Sequence, residues 1–329
     1  MPEKFRILIT GASGFVGSWL RKGLVNHLPP GSEIHGTIQG AIISSNADVV
    51  WHSLDLADDN AIDVLVASLR PNVVVHLAAQ SSVQDASKDP QATWAVNLGG
   101  TMNLATSVLR HCPDCRFIFV SSSEVYGGSF RLSNLPLTEM ARLDPENTYA
   151  ASKAAADLLV GQLAKQGLQS VRLRPFNHTG PGQNNRFVIP SFASQIVQIE
   201  QGHLEPVLRV GNLDACRDFS DVRDIVAAYV AVIMRPAQFE RGQILNLATG
   251  KPRRIGDILE QLVAKSRATI RIEIDPLKIR PNDTPSAAGD ATLAHQLLGW
   301  SPRFSLDQTL EDMLDHLRKN SPSSTQPET

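Results

Sequence analysis

Residues 6–17 read R-I-L-I-T-G-A-S-G-F-V-G: an apolar strand run, then Gly11, Gly14 and Gly17, with a helical pattern from about Phe15 to Asn26. An apolar run of this length suits a strand buried on both faces. Glycines between a strand and a helix let the backbone turn tightly and approach a pyrophosphate, whose charge then lies at the helix N-terminus. The spacing G-x-x-G-x-x-G departs from the usual dinucleotide pattern G-x-G-x-x-G, so the strand-loop-helix context carries the reading; the alternative is a tight turn without a ligand. Working outward, strands are expected at 32–38, 49–56, 72–79, 116–122 and 170–177. Helices are expected at 60–70, over roughly 91–111, and from Asn147. Val- and Ile-rich strands alternating with helices imply an α/β fold, a Rossmann-type doubly wound parallel sheet covered on both faces.

After Asn177 the alternation breaks. A glycine- and proline-rich loop, H-T-G-P-G-Q-N-N-R, leads into a helix over 187–202, a short strand near 206–210, the loop G-N-L-D-A-C-R-D-F-S-D and a helix over 222–234. Short strands and helices follow. The expected division is a cofactor-binding domain over 1–177, to which later segments return, a smaller C-terminal substrate-binding lobe made mainly of 178–320, and a mobile polar tail at 321–329. A ligand cleft is expected between the lobes.

The chain has 329 residues, 42% of them hydrophobic and 19% charged, which suits a packed core rather than disorder. A net charge of −2 provides no global basic field for nucleic acid or an anionic membrane, so neither partner is expected and any anion site is local. The N-terminus has no apolar run suited to a signal peptide or a membrane span, and a cytoplasmic protein is expected. Cys112 and Cys115 form C-P-D-C between a helix and a strand, the wrong context for a thiol–disulfide site, and too few further ligands lie nearby for zinc. No metal is expected.

The end of the second strand, Thr37-Ile38-Gln39-Gly40, has neither an acid for a ribose nor an arginine for a 2′-phosphate, which leaves NADP and NAD both open. Asp55 and Leu56 follow the third strand, where they face either adenine or an ordinary turn. Tyr149 and Lys153, at i and i+4, share a helix face. A neighbouring cation is expected to draw the phenol toward neutrality, so that Tyr149 exchanges a proton with an alcohol or ketone. Lys153 would also fix the nicotinamide ribose, and Ser122 at a strand end would hold the carbonyl oxygen.

The glycine loop, H-L-A-A (76–79), Asn97-Leu-Gly-Gly, S-S-S-E-V-Y-G (121–127) and Y-x-x-x-K together resemble the extended short-chain dehydrogenase/reductase family over roughly residues 5–320. R-P-F-N-H-T-G-P-G-Q (174–183), G-N-L-D-A-C-R-D-F (211–219) and R-P-N-D-T-P (280–285) resemble its GDP-mannose 4,6-dehydratase branch, with P-G-Q and D-F-S-D-V-R-D-I-V most like the GDP-6-deoxy-4-keto-D-mannose reductases. The resemblance implies cofactor contacts from Gly11, Ser13, Gly14, Phe15, Val16, Gly17, Asp55, Leu56, Leu77, Ala78, Ala79, Tyr149 and Lys153. It implies substrate contacts from Ser81, Ser82, Asn177, Val188, Asn212, Arg217 and Arg280. Guanidinium forks of Arg217 and Arg280 suit a diphosphate, whereas local salt bridges are their ordinary alternative. His178 is given no catalytic role.

Ser122, Ser123 and Glu124 match the dehydratase motif that begins with Thr and ends with the Glu that removes a proton beside the new ketone. Glu124 argues against simple 4-epimerisation, while reductases of the branch keep the same glutamate. Ser in place of Thr at 122 leans toward reduction. So does the absence of an arginine-rich segment at Gly40-Ala-Ile-Ile-Ser-Ser-Asn, which also removes support for a tetramer. The leading expectation is NADPH- or NADH-dependent reduction of GDP-4-keto-6-deoxy-D-mannose to GDP-D-rhamnose. GDP-mannose dehydration with Glu124 as base comes second, then another nucleotide-sugar epimerase or dehydratase. A non-catalytic cofactor-binding regulator would predict a broken triad. A homodimer is expected through helices 91–111 and 147–166, with Ala150, Ala151, Ala154, Ala155 and Ala156 allowing close approach.

Overall fold

The structure, a computed structural model, describes residues 5–42, 48–235, 239–279 and 284–320. Arg280, the 321–329 tail and most of the 40–46 segment therefore lie outside the described residues. The first half runs β1 (Arg6–Thr10), α1 (Phe15–Val25), β2 (Glu33–Ile38), β3 (Val50–Ser53), α2 (Asp59–Leu69), β4 (Val73–His76), α3 (Val83–Lys88), α4 (Pro90–Trp94), α5 (Thr101–His111), β5 (Arg116–Val120), α6 (Thr148–Lys165) and β6 (Gln169–Pro175). The second half adds β7 (Asn177–Thr179), α7 (Val188–Glu200), β8 (Val207–Val210), β9 (Cys216–Asp221), α8 (Val222–Met234) and β10 (Gln243–Leu247). It closes with β11 (Pro252–Arg254), α9 (Ile255–Ala264), β12 (Arg271–Ile274), β13 (Ser286–Ala287), α10 (Thr292–Leu298) and α11 (Leu306–Asn320).

Seven strands form one parallel sheet in the order β10-β6-β5-β4-β1-β2-β3. The period-two alternation of strand side chains serves two cores. Ile7, Ile9, Val73, Val75 and Ile118 face α1, α8 and α10, while Leu8, Val74, Phe117 and Phe119 face α2, α5 and α6. The chain progresses from β1 toward β3 and then crosses back to β4. The switch point between β1 and β4 leaves a crevice at their carboxyl ends, the usual ligand position in such sheets.

α8, β10 and α10 belong to the main sheet, because Ile225, Tyr229, Leu245, Leu298 and Trp300 join its core. A separate core of Ile189, Ile196, Leu208, Phe219, Leu259 and Met313 holds the smaller lobe. The stretch read as the loop G-N-L-D-A-C-R-D-F-S-D contains β9, which pairs with β7, β11 and β13. Its polar sequence hides the strand, since buried Asp218 is satisfied from outside: its carboxylate accepts from Thr249 N at 2.9 Å and Gly250 N at 2.8 Å.

Residues 91–111 are not one regular helix. α4 and α5 flank a π-helical turn at Ala95–Gly100, where Asn97-Leu-Gly-Gly supplies two weak helix formers and an amide that bonds elsewhere. Cys112 and Cys115 are buried, and burial raises both thiol pKa values, which keeps them protonated. Among the described residues no helix is long and apolar enough to cross a membrane, and no group of three His, Cys, Asp or Glu side chains is placed to hold a metal.

Candidate active site

The crevice floor is built by two turns pressed together. Gly11 has φ +70°, and a Cβ on it would stand 2.9 Å from Ala78 N, so the turn after β1 and Leu77-Ala78-Ala79 after β4 meet at backbone distance. A Cβ on Gly17 would come within 2.4 Å of Gly11 O, which requires glycine where α1 leaves the loop. Ser13 and Gly14 are exposed at the lip, Phe15 and Val16 open α1, and no side chain caps that helix. Its first N–H groups and positive dipole end therefore suit the diphosphate of a dinucleotide, and the glycine cradle leaves room for close approach.

Behind these turns runs a buried polar chain. His76 Nδ1 lies 2.7 Å from Thr10 Oγ1 and His76 Nε2 3.0 Å from Thr101 Oγ1, which in turn donates to Asn97 O at 2.6 Å. Burial, assisted by the charge on Lys153, pushes the His76 pKa down to about 3, so the ring stays neutral. The Asn97 side chain accepts from Gln80 N at 2.8 Å and donates to Ser152 Oγ at 2.9 Å, tying the π-turn to the loop after β4 and to α6. The Asn97-Leu-Gly-Gly motif shows no task for Asn97 in the sequence alone; on the π-turn its side chain bridges two other elements.

Ser122 sits at the end of β5 as the cap of the 3₁₀ segment Ser123–Arg131, its Oγ accepting from Glu124 N at 3.2 Å. Asn147 caps α6 through Ala150 N at 2.8 Å, which fixes Tyr149 in the first turn, and Tyr149 and Ser122 share a hydrogen bond. Glu124 Oε2 accepts from Asn147 Nδ2 at 3.5 Å, bringing the carboxylate beside the same turn. Ser123 is buried under it.

The expectation that Lys153 draws the phenol toward neutrality does not hold. Burial dominates and pushes the Tyr149 pKa up to about 12; the Ser122 hydrogen bond opposes this, and the Glu124 charge adds to it. Lys153, 3% exposed, instead donates from Nζ to Val120 O at 2.6 Å and lies 4.4 Å from the Phe119 ring centroid. Burial brings its pKa down to about 7, with Asp157 opposing.

Asp157, one turn further along α6, is 0% exposed. It accepts from Arg174 Nε at 2.9 Å, Arg174 Nη2 at 2.8 Å and Arg172 Nη1 at 2.9 Å. Arg174 Nη1 also donates to Tyr126 OH at 3.1 Å, which donates to Asn246 Oδ1 at 2.7 Å. The segment after Ser122 is thus anchored through α6 and β6 to β10. Nothing in the local sequence marks this network, whose members come from four distant stretches.

Asp55 and Leu56 separate. Asp55 is exposed and its Oδ1 accepts from Ala57 N at 2.9 Å, an ordinary turn, while Leu56 is buried beneath Gly100, where a Cβ would meet Leu56 Cβ at 2.7 Å. Ser81 is exposed, and Ser82 caps α3 through Asp85 N at 3.2 Å. Across from α3, the Arg186–Asp85 ion pair at 2.7 Å brings the loop before α7 against the main-sheet domain. The same loop is held on α1, where Trp19 Nε1 donates to Pro181 O at 3.0 Å and Phe15 lies with its ring within 7° of parallel to His178.

Asn177 pairs with Phe219 in the small sheet, two positions along β9 from Arg217, so these two expected substrate residues converge. Arg217 Nη1 donates to Cys216 O at 2.8 Å and Thr284 O at 2.7 Å. Asn212 Oδ1 accepts from Asp214 N at 3.0 Å, and Val188 begins α7 half-exposed.

The family model for GDP-mannose 4,6 dehydratase matches residues 8–313. GDP-6-deoxy-D-mannose reductase of Pseudomonas aeruginosa is 33% identical over 310 residues, covering 94% of this chain and 96% of the relative. GDP-mannose 4,6-dehydratase of Vibrio cholerae is 26% identical over 357 residues, covering 94% and 93%. Among solved structures, RMD from Pseudomonas aeruginosa complexed with NADPH superposes with a TM-score of 0.82 at 30% identity, covering 97% of this chain and 100% of that one. The family match over residues 8–313 and the 33% identity along nearly the whole chain show that the chain belongs to the GDP-mannose 4,6 dehydratase family.

Proposed function

We propose that the protein reduces the 4-ketone of GDP-4-keto-6-deoxy-D-mannose to GDP-D-rhamnose in the cytoplasm. The observation that carries this reading is the Tyr149 phenol in the first turn of α6, hydrogen-bonded to Ser122. A ketone reduction needs a proton donor at the substrate oxygen, and a phenol carries its proton throughout the neutral range. NADPH or NADH bound at the glycine crevice supplies the hydride.

In this reading Ser122 Oγ holds the carbonyl oxygen and Tyr149 delivers its proton there as charge develops. Lys153, one turn after Tyr149, fixes the nicotinamide ribose, and Asn97 with Asn147 fixes the frame in which Tyr149 sits. Asn177 and Arg217 bind the diphosphate from the lobe, Ser81 and Ser82 border the sugar, and Val188 and Asn212 lie toward the base. Arg280 joins them on the strength of the sequence motif. Relatives named as a reductase and as dehydratases flank this choice. The identity of 33% to the former against 26% to the latter supports reduction.

Dehydration is the second reading, favoured by the Glu124 carboxylate beside the Tyr149 turn. Glu124→Gln separates the two. A reductase has no base-catalysed elimination to lose, so the variant is expected to keep ketone reduction within about tenfold. A dehydratase would lose roughly a hundredfold or more with its base. Steady-state turnover of the variant on each substrate reads the difference.

The dimer belongs to the same proposal, with altered contacts. Ala150, Ala154 and Ala156 are buried against the protein's own core, so they do not line an interface. Ala151, Ala155 and exposed Leu158 form the outward face of α6, near Trp94 and Met102 on the neighbouring helices, which also expose apolar surface. Light scattering is expected to give twice the chain mass; the mass of a single chain would exclude the pairing.

A further inference from the structure

Strand β12 of the smaller lobe has one edge paired. It runs parallel to β8 with Arg271 opposite Val207, and among the described residues no strand pairs with its other edge. Arg271 N donates to Pro206 O at 2.9 Å and Asp275 N to Val210 O at 2.7 Å, so Arg271, Glu273 and Asp275 turn their backbone groups toward β8. Those of Ile272 and Ile274 therefore point away from it. Both side chains are exposed, Ile272 by 39% and Ile274 by 62%. Apolar side chains beside outward-facing N–H and C=O groups are the combination that recruits another strand.

The sequence of this edge selects the partner. Ile270-Arg-Ile-Glu-Ile274 alternates, and alternate side chains of a strand share a face: the isoleucines on one, Arg271 and Glu273 on the other, where they pair at 2.8 Å. Neither lysine nor proline interrupts the four residues of β12, and its two charges are opposite in sign. Laid antiparallel on a second copy about a two-fold axis at Ile272, the strand sets Ile272 against Ile272 and Ile270 against Ile274. Arg271 of each copy then meets Glu273 of the other. The same register brings the outward N–H and C=O of Ile272 onto their counterparts, so the backbone and both faces match in one arrangement.

We infer that β12 is a self-association edge, through which two copies of the protein pair antiparallel across Ile272. It stands apart from the outward face of α6, which belongs to the main-sheet domain, so it joins whichever species exists in dilute solution, one chain or a pair. A strand of four residues buries too little surface for a tight complex, and a Kd of about 10–500 µM is expected. Sedimentation equilibrium over a concentration series from about 1 µM to about 1 mM spans that range. The average mass of the unmodified protein is expected to rise to at least twice its dilute value.

Arg271→Glu sets glutamate against glutamate across the axis, and Glu273→Arg sets arginine against arginine. Each variant alone is expected to associate at least about tenfold more weakly than the parent. Mixed in equal amounts, the two restore an arginine–glutamate match at both positions and are expected to recover the parent's association, which also reports that both are folded. Ile274→Lys keeps the two original charges and is expected to weaken association as well. A mass of the unmodified protein that stays flat across the series overturns the inference. So does either charge reversal that associates as readily as the parent, or a mixture that associates no better than its components.

Discussion

Tyr149→Phe is expected to lower kcat for ketone reduction by about a hundred- to ten-thousandfold, the range associated with losing a positioned general acid. The substitution removes one hydroxyl. It leaves the ring, the Asn147 cap and the burial of α6 in place, so the melting temperature is expected to move little. Nucleotide binding at the glycine crevice is also expected to persist, because the cradle of Gly11 and Gly17 does not depend on the phenol. Single-turnover kinetics with saturating keto-sugar and reduced nucleotide checks the chemical step. Activity within about tenfold of the parent would remove Tyr149 from the proton-donor role. Equal losses of nucleotide binding and turnover would indicate structural damage in its place.

Asp157→Ala is expected to cost about 3–5 kcal/mol of stability, because it strands two guanidinium groups, with Arg174 only 2% exposed. The pH dependence follows from the same network. Burial pushes the Asp157 carboxyl up, but hydrogen bonds from Arg174 and the charges of Arg174 and Arg172 outweigh it and hold the pKa below the ordinary value. A depressed carboxyl pKa contributes stability that is fully present above the unfolded value and is lost as pH falls through the folded one. The parent protein is therefore expected to lose this contribution in acid, and the variant to show a shallower acid limb. Urea unfolding at neutral and acidic pH measures both; a variant as stable as its parent at neutral pH would contradict the account of the network.

The sheet was legible because its cause is local. Apolar runs such as Arg6–Thr10 and Val73–His76 are buried on both faces, and that pattern is written residue by residue. The start of α6 was legible for the same reason, since Asn147 is a good cap and stands where the cap lies. Strand β9 was not, because Cys216–Asp221 is polar and its burial depends on Thr249 and Gly250, some thirty residues later. The π-turn at Asn97 and the Asp157 network were hidden for a similar reason, being defined by partners from separate elements.

The candidate site divides in the same way. Spacing placed Tyr149, Lys153 and the glycine loop on the right elements, because i, i+4 geometry and a strand-to-helix turn follow from the chain itself. The direction of the Tyr149 shift depends on burial and on where the Lys153 side chain runs, and spacing carries neither. At Leu56 an apolar residue after a strand suits either an adenine contact or an ordinary turn, and spacing does not show that Gly100 packs over it and joins it to the core.

The most direct test is to incubate the protein with GDP-4-keto-6-deoxy-D-mannose plus NADPH or NADH, and separately with GDP-mannose alone, following nicotinamide absorbance and product mass. Oxidation of added nucleotide with the keto-sugar, a product two mass units heavier than that substrate, and no reaction of GDP-mannose are expected. Loss of water from GDP-mannose without net change in nucleotide would contradict the reductase and make Glu124 the working base.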